Sequence, residues 1–231
     1  MTLVDQQRSA RTAGIALLVI CASAVFSNDL IVAGDALATA DNLRAHERWF
    51  RIGIVGEFVM LNADIVLAVA LYLLLAPVHR PLALLGSLWR LANAGLLAVG
   101  VVANLVALDC VTDLAGTSLP LQAPVMKLWL DVHATAETVG LIFFGLGAGI
   151  HSYLLYRSRY IPRALSGAYL LVTTLLCIFC VGILLIPAVQ RIVVPWIIAP
   201  DFFVEVAVAL WLTIKGISSS AATPEKSYGE V

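Results

Sequence analysis

Long apolar runs broken by short polar stretches dominate this chain. The clearest is Ala164–Val189, which holds no charged residue and no histidine; a helix needs about 20 apolar residues to cross a bilayer. Comparable runs recur, bounded by Arg, Asp, Pro or Gly. They predict six transmembrane helices, at about 12–34, 50–76, 82–108, 126–155, 164–189 and 195–216. Pro77 and Pro81 bracket His79-Arg80, a tight turn that makes the second and third helices an antiparallel hairpin. Thr112–Pro124 reads as a polar loop and Arg157–Arg163 as a basic loop, and Pro187 and Pro195 frame the fifth connection. The expected fold is an all-α polytopic membrane bundle, one domain over residues 1–217, with 218–231 a disordered tail.

Composition agrees. Hydrophobic residues make up 61% and charged residues 13%, and mean hydropathy is +0.97. A soluble domain is about half apolar and about a quarter charged. A net charge of -1 leaves no basic surface for nucleic acid. The charges also suggest an orientation. With the N-terminus inside, Arg8, Arg11, Arg80, Arg157, Arg159, Arg163, Lys215 and Lys226 fall on the inner side; Arg44, Arg48, Arg51, Lys127 and Arg191 fall outside. The inner excess places both termini in the cytoplasm. Trp49, Trp129 and Trp196 would anchor the outer interface, and Tyr153, Tyr156, Tyr160 and Trp211 the inner one. The rival reading of the N-terminus is a cleaved signal peptide, since Ala22-Ser23-Ala24 follows a basic and then apolar stretch. The apolar run continues past that point, which favours a retained first helix. Cys21, Cys177 and Cys180 lie inside apolar runs and read as small hydrophobes, not as a disulfide framework.

Several short stretches, in order, carry a resemblance. They are Gly34-Asp35 to Asn42, Phe50-Arg51-Ile52-Gly53, Asp64 to Leu71-Tyr72 and Pro77-Val78. Further along come Phe143-Phe144-Gly145-Leu146, Leu154-Leu155-Tyr156-Arg157-Ser158 with Tyr160-Ile161-Pro162-Arg163, and Leu210-Trp211-Leu212 with Lys215-Gly216. Over nearly its whole length the chain resembles a family of small polytopic bacterial membrane proteins catalogued as a domain of unknown function, DUF4386. The resemblance implies a helical bundle in the bacterial inner membrane. It implies no activity.

Polar residues inside the predicted spans are the remaining source of chemistry. A charged side chain at mid-bilayer costs at least about 2.5–3.5 kcal/mol, so such groups face the bundle interior. If the hairpin turns near His79, Asp64 lies opposite about position 94, beside Asn93 and within reach of Arg90. Asp64, Arg90 and Asn93 then form a buried pair with an added donor, read first as a structural lock between helices. Asn62 and Asn104 would add interhelical hydrogen bonds. A second group sits higher. Glu57 shares a helix face with Asp64; His133 and Glu137, and again Asp201 and Glu205, are four apart. At about 1.5 Å rise per residue, Glu57, His133, Glu137 and Glu205 fall at one level, roughly 8–15 Å below the outer surface.

Carboxylates at one depth repel unless something neutralises them. A divalent metal would do so, with His133, Glu137, Glu205 and Glu57 as candidate ligands. So would protons, or an ion or organic cation bound in an acidic pocket. The structural alternative is that Asp201 and His133 merely sit near the interface, that Asp201 caps its helix after Pro200, that Glu137 and Glu205 hydrogen-bond to neighbouring helices, and that Asp131 and Asp201 favour a helix N-terminus. A heme would want paired histidines on facing helices; His46 and His79 fall in loops and His151 stands alone. Gly140, Gly145, Gly147 and Gly149 would let helices approach closely. The segment Asn28–Glu47 mixes apolar and charged residues and reads as an interfacial stretch, either a lid or a connection. The leading functional expectation is a site open to the periplasmic side, built from Glu57, His133, Glu137, Glu205 and Asp201, that binds an ion or small molecule, with transport as one use. The alternatives are an intramembrane enzyme acting on a lipid or isoprenoid through the same residues, and an accessory subunit without chemistry.

Overall fold

In the computed structural model, residues 2–24, 35–112, 119–186 and 190–218 are described. They are helical almost throughout: α1 Leu3–Ala24, α2 Ala36–Ala45, α3 Glu47–Thr112, α4 Leu119–Ser158, α5 Arg163–Leu185 and α6 Gln190–Ile214. Among the described residues, four stretches are long and apolar enough to cross a membrane: Glu47–Thr112, Leu121–Ser158, Arg163–Leu185 and Trp196–Ile214.

The first of these is a hairpin. The backbone leaves helical geometry at His79 (φ −162°, ψ 93°). The His79 ring then caps the second arm, Nδ1 accepting from the Leu82 amide at 3.3 Å. Pro81 falls in the first turn of that arm, where a missing N–H costs nothing. Bonds between the arms fix an antiparallel register: Ser87 Oγ donates to the Ala68 carbonyl at 2.9 Å, and Asn104 Nδ2 donates to Glu57 at 3.0 Å. Arms 47–78 and 80–112 each exceed the about 20 residues that a span needs.

Several boundaries differ from expectation, for local reasons. α1 begins at Leu3, not near 12, because Thr2 and Asp5 cap it reciprocally. The Thr2 amide donates to Asp5 Oδ2 at 3.0 Å and the Asp5 amide to Thr2 Oγ1 at 3.2 Å. The same contacts hold the Asp5 carboxyl below its ordinary pKa. The expected end of the first helix falls in 25–34, outside the described residues, as does the tail beyond Ser218. α4 starts at Leu119, so the polar loop expected to reach Pro124 is shorter; Pro124 lies inside the helix. Asp131 is therefore well past the first turn and pairs with Lys127 on the same face. α6 starts at Gln190 and runs through Pro195 and Pro200, which places Asp201 mid-helix instead of at a cap.

α3 packs mainly on α4, and the remaining contacts close a ring: α4 on α5, α5 on α6, α6 on α1 and α1 on α3. α2 lies across α3 and α4, where Arg44 donates to the Val111 carbonyl at 2.7 Å and to Gln122 Oε1 at 2.9 Å. Two apolar clusters fill the ends of the bundle. One joins Leu74, Leu75, Leu154, Tyr169 and Leu212; the other joins Leu43, Phe50, Leu108, Met126 and Leu130. At the first end Gln7 ties α1 to the residues just after α6: its side chain donates to the Lys215 carbonyl at 3.1 Å and accepts from the Ile217 amide at 3.0 Å. The anchors expected near that end divide. Tyr153 and Tyr156 are exposed, whereas Tyr160 is buried and accepts from Gln6 Nε2 at 3.4 Å.

The outer surface is apolar (Val55, Val66, Leu88, Leu171, Ile178 and Phe203 are all exposed), while the interior between the clusters is polar. This inverts the arrangement of a soluble protein. Among the described residues, the first-ranked fully buried side chain by volume is Arg90. Close helix approach around it depends on glycine. A Cβ at Gly147 would meet the Gly86 carbonyl oxygen at 2.8 Å and Arg90 Cγ at 3.1 Å. Gly149, expected to play the same part, faces open space. Gly147→Ala should therefore destabilise the fold by about 1–3 kcal/mol, the usual cost of overpacking. Gly149→Ala should leave it unchanged or firmer, because alanine favours helix by about 0.5–1 kcal/mol. Reversible unfolding in mixed detergent micelles measures both.

Candidate functional site

The bundle encloses a cavity of about 290 Å³, lined by α1, both arms of α3, α4, α5 and α6. Helical periodicity brings the lining residues inward: Glu57 and Asp64 on the first arm, Arg90, Asn93, Leu97 and Gly100 on the second, His133, Glu137 and Phe144 on α4, and Asp201 and Glu205 on α6. Every residue expected at the acidic level lines this one cavity, and so do Asp64, Arg90 and Asn93.

The floor is the charge pair of the α3 hairpin. Arg90 Nε donates to Asp64 Oδ1 at 2.7 Å and Arg90 Nη2 also contacts that oxygen; Asn93 Nδ2 donates to Asp64 Oδ2 at 3.0 Å. Phe144 stacks against the guanidinium, 5.1 Å from ring centroid to Cζ. Arg90 and Asp64 are 1% and 2% exposed. A buried pair held this way fixes the register of the hairpin. It also leaves Arg90 Nη1 without a hydrogen-bond partner.

One wall carries Glu57, His133 and Glu137. Glu57 accepts from Asn104 Nδ2 through both oxygens, at 3.0 and 3.1 Å. His133 Nε2 lies 3.9 Å from Glu57 and 4.0 Å from Glu137, and its ring rests on Gly100, where a Cβ would come within 3.0 Å of Nδ1. The facing wall is α6. Glu205 accepts from the Tyr169 hydroxyl at 3.0 Å, while Asp201 is buried with Oδ1 unpartnered. In water an unpartnered carboxylate oxygen is unremarkable. Here it marks a place where a donor is missing.

Among the described residues no group of three or more His, Cys, Asp or Glu side chains is placed to hold a metal ion. The reason is geometric: Glu205 is drawn to Tyr169 on α5, while Glu57 is drawn to Asn104 on the second arm of α3. Asn62 does not join helices either; it donates to the Phe58 carbonyl of its own helix at 2.7 Å. His151 is fully buried near Ser87 Oγ, at 3.4 Å, outside the cavity lining. Sequence reasoning missed Tyr169 and Phe144 as parts of the site. A tyrosine inside an otherwise apolar run was the available signal, because a buried hydroxyl needs a partner.

Removing one member of the charge pair should be expensive. Asp64→Ala or Arg90→Met alone should lower stability by about 3–5 kcal/mol, because each strands a buried charge or its partners. The double variant should lose clearly less than the sum of the two. A double-mutant cycle on unfolding free energies gives the coupling, and additivity within about 0.3–0.5 kcal/mol would deny it.

The family model described as "Domain of unknown function (DUF4386)" matches residues 12–216. The chain is also similar to an uncharacterized protein from Archaeoglobus fulgidus, 29% identical over 176 residues that cover 74% of this chain and 89% of that one. No solved structure matches.

Proposed function

We propose, for a chain that belongs to the DUF4386 family, that it is a polytopic membrane protein whose helical ring holds a binding pocket for an ion or small molecule. In this reading the arms of α3 count as separate spans, and α1 with α4, α5 and α6 completes six. The inner excess of Arg and Lys supports cytoplasmic termini and a pocket on the outer half of a cell membrane. The observation that carries the proposal is the cavity itself. Polar side chains from four helical segments, the two arms of α3, α4 and α6, line one void, while the bundle's outer surface is apolar. A largely apolar void with a few convergent polar groups is the usual form of a small-molecule site. Transport follows if the pocket opens in turn to each face.

A second reading has one observation in its favour. His133 sits between two carboxylates, which suits a general base in an intramembrane enzyme. Glu137→Gln would then abolish turnover while leaving ligand binding intact.

Thiol accessibility tests the pocket. In a background without Cys21, Cys110, Cys177 and Cys180, Leu97→Cys should react with a small water-soluble methanethiosulfonate added to one membrane face. Leu88→Cys, on the apolar exterior, should not. Equal inertness of both thiols from both faces would reduce the cavity to a packing gap.

A further inference from the structure

The pocket's lining names a class of ligand, on the assumption that the binding reading above holds. Its carboxylates are Glu57, Asp64, Glu137, Asp201 and Glu205; its cationic groups are Arg90 and, when protonated, His133. Arg90 is already committed to Asp64. Asn104 and Tyr169 satisfy the hydrogen bonding of Glu57 and Glu205, but both are neutral and bring no countercharge. The pocket therefore carries an excess of acid in a region screened from water, where charge imbalance is costly.

Asp201 shows where the imbalance is focused. It is 6% exposed, lines the cavity and has an oxygen with no hydrogen-bond partner. Phe202 lines the same cavity, so the lining offers an aromatic side chain as well as a carboxylate. Ammonium groups are attracted to both. The rest of that side is hydrocarbon: Ile20, Leu141, Leu176 and Ile198. A bare metal ion has no use for such a wall, and the described residues offer it no converging ligand set. An anionic ligand would be opposed by the surrounding acids. Arg90 Nη1 and His133 Nδ1, unpartnered nitrogens of the lining, ask only for an acceptor or donor, which an ordered water or a ligand hydroxyl supplies.

We propose that the pocket binds an organic monocation, its ammonium seated on Asp201 and its apolar body laid along Leu176 and Ile198. Specificity then comes from two requirements met by one molecule, a positive charge and a hydrocarbon segment.

The test uses the full chain in zwitterionic phosphatidylcholine nanodiscs, with thermal unfolding as the readout and n-hexylammonium, 1-hexanol, hexanoate, ammonium and sodium as probes at equal ionic strength. Hexylammonium should raise the melting temperature of the wild type, and the other four should not match it. Asp201→Asn should weaken the hexylammonium effect at least tenfold in midpoint concentration. Equal stabilisation by hexanol, hexanoate or an inorganic cation would overturn the proposal, as would an unchanged response in Asp201→Asn. Should that variant not fold, protection of Leu97→Cys decides. Hexylammonium should slow its modification by a methanethiosulfonate, and hexanol should not. A thiol that never reacts removes the pocket itself; one that reacts and is protected by hexanoate keeps the pocket and removes the cation.

Discussion

A hydrocarbon environment offers neither hydrogen bonds nor countercharge, and the architecture answers that constraint. Among the described residues, Asp64, Arg90, Glu57 and Glu205 turn inward and find partners on another helical segment. The Asp64–Arg90–Asn93 cluster does this most completely, joining two arms of one helix across the turn at His79. The side chains around it depend on that lock. Gly86 and Gly147 let α4 lie against the Arg90 stem, and Phe144 covers the guanidinium. Without the lock, the register that brings Glu57 opposite Asn104 would have no anchor at the bundle's middle.

The same constraint separates structure from function within one cavity. Groups that are fully engaged, such as Asp64 and Glu57, read as architecture. Asp201 does not, because one of its oxygens is buried and unengaged on an otherwise well-satisfied wall. Natural proteins keep such groups when something else completes them. The charged side chains gather at one cavity, and an apolar cluster that includes Phe144 and Leu176 runs along its wall.

Much of this was legible in the chain. Pro77, His79 and Pro81 announced a hairpin, and counting back from that turn placed Asp64 across from 90–94, where Arg90 and Asn93 bond to it. Spacings of four between His133 and Glu137 and between Asp201 and Glu205 gave shared faces, and the faces meet one void. The failures have equally local causes. Prolines at 124, 195 and 200 read as helix ends but sit inside helices, since neighbouring helices in a bundle can re-satisfy the freed carbonyls. The Thr2–Asp5 capping box starts α1 ahead of its apolar run, in a stretch where hydropathy carries no signal. Which carboxylate draws which partner could not be read at all, because it depends on helix rotation that spacing leaves free. The Tyr169 hydroxyl, for example, donates to Glu205 across from α5.

Spin-label accessibility along α6 tests most directly whether acidic faces of separate helices surround a wet interior. Labels replacing Ile198 and Phe202 should be relaxed by a water-soluble nickel chelate and shielded from oxygen. Labels replacing Phe203 and Leu210, on the exposed apolar face, should show the reverse. Collision profiles without that helical alternation, or with Phe203 and Leu210 on the wet side, would contradict the account.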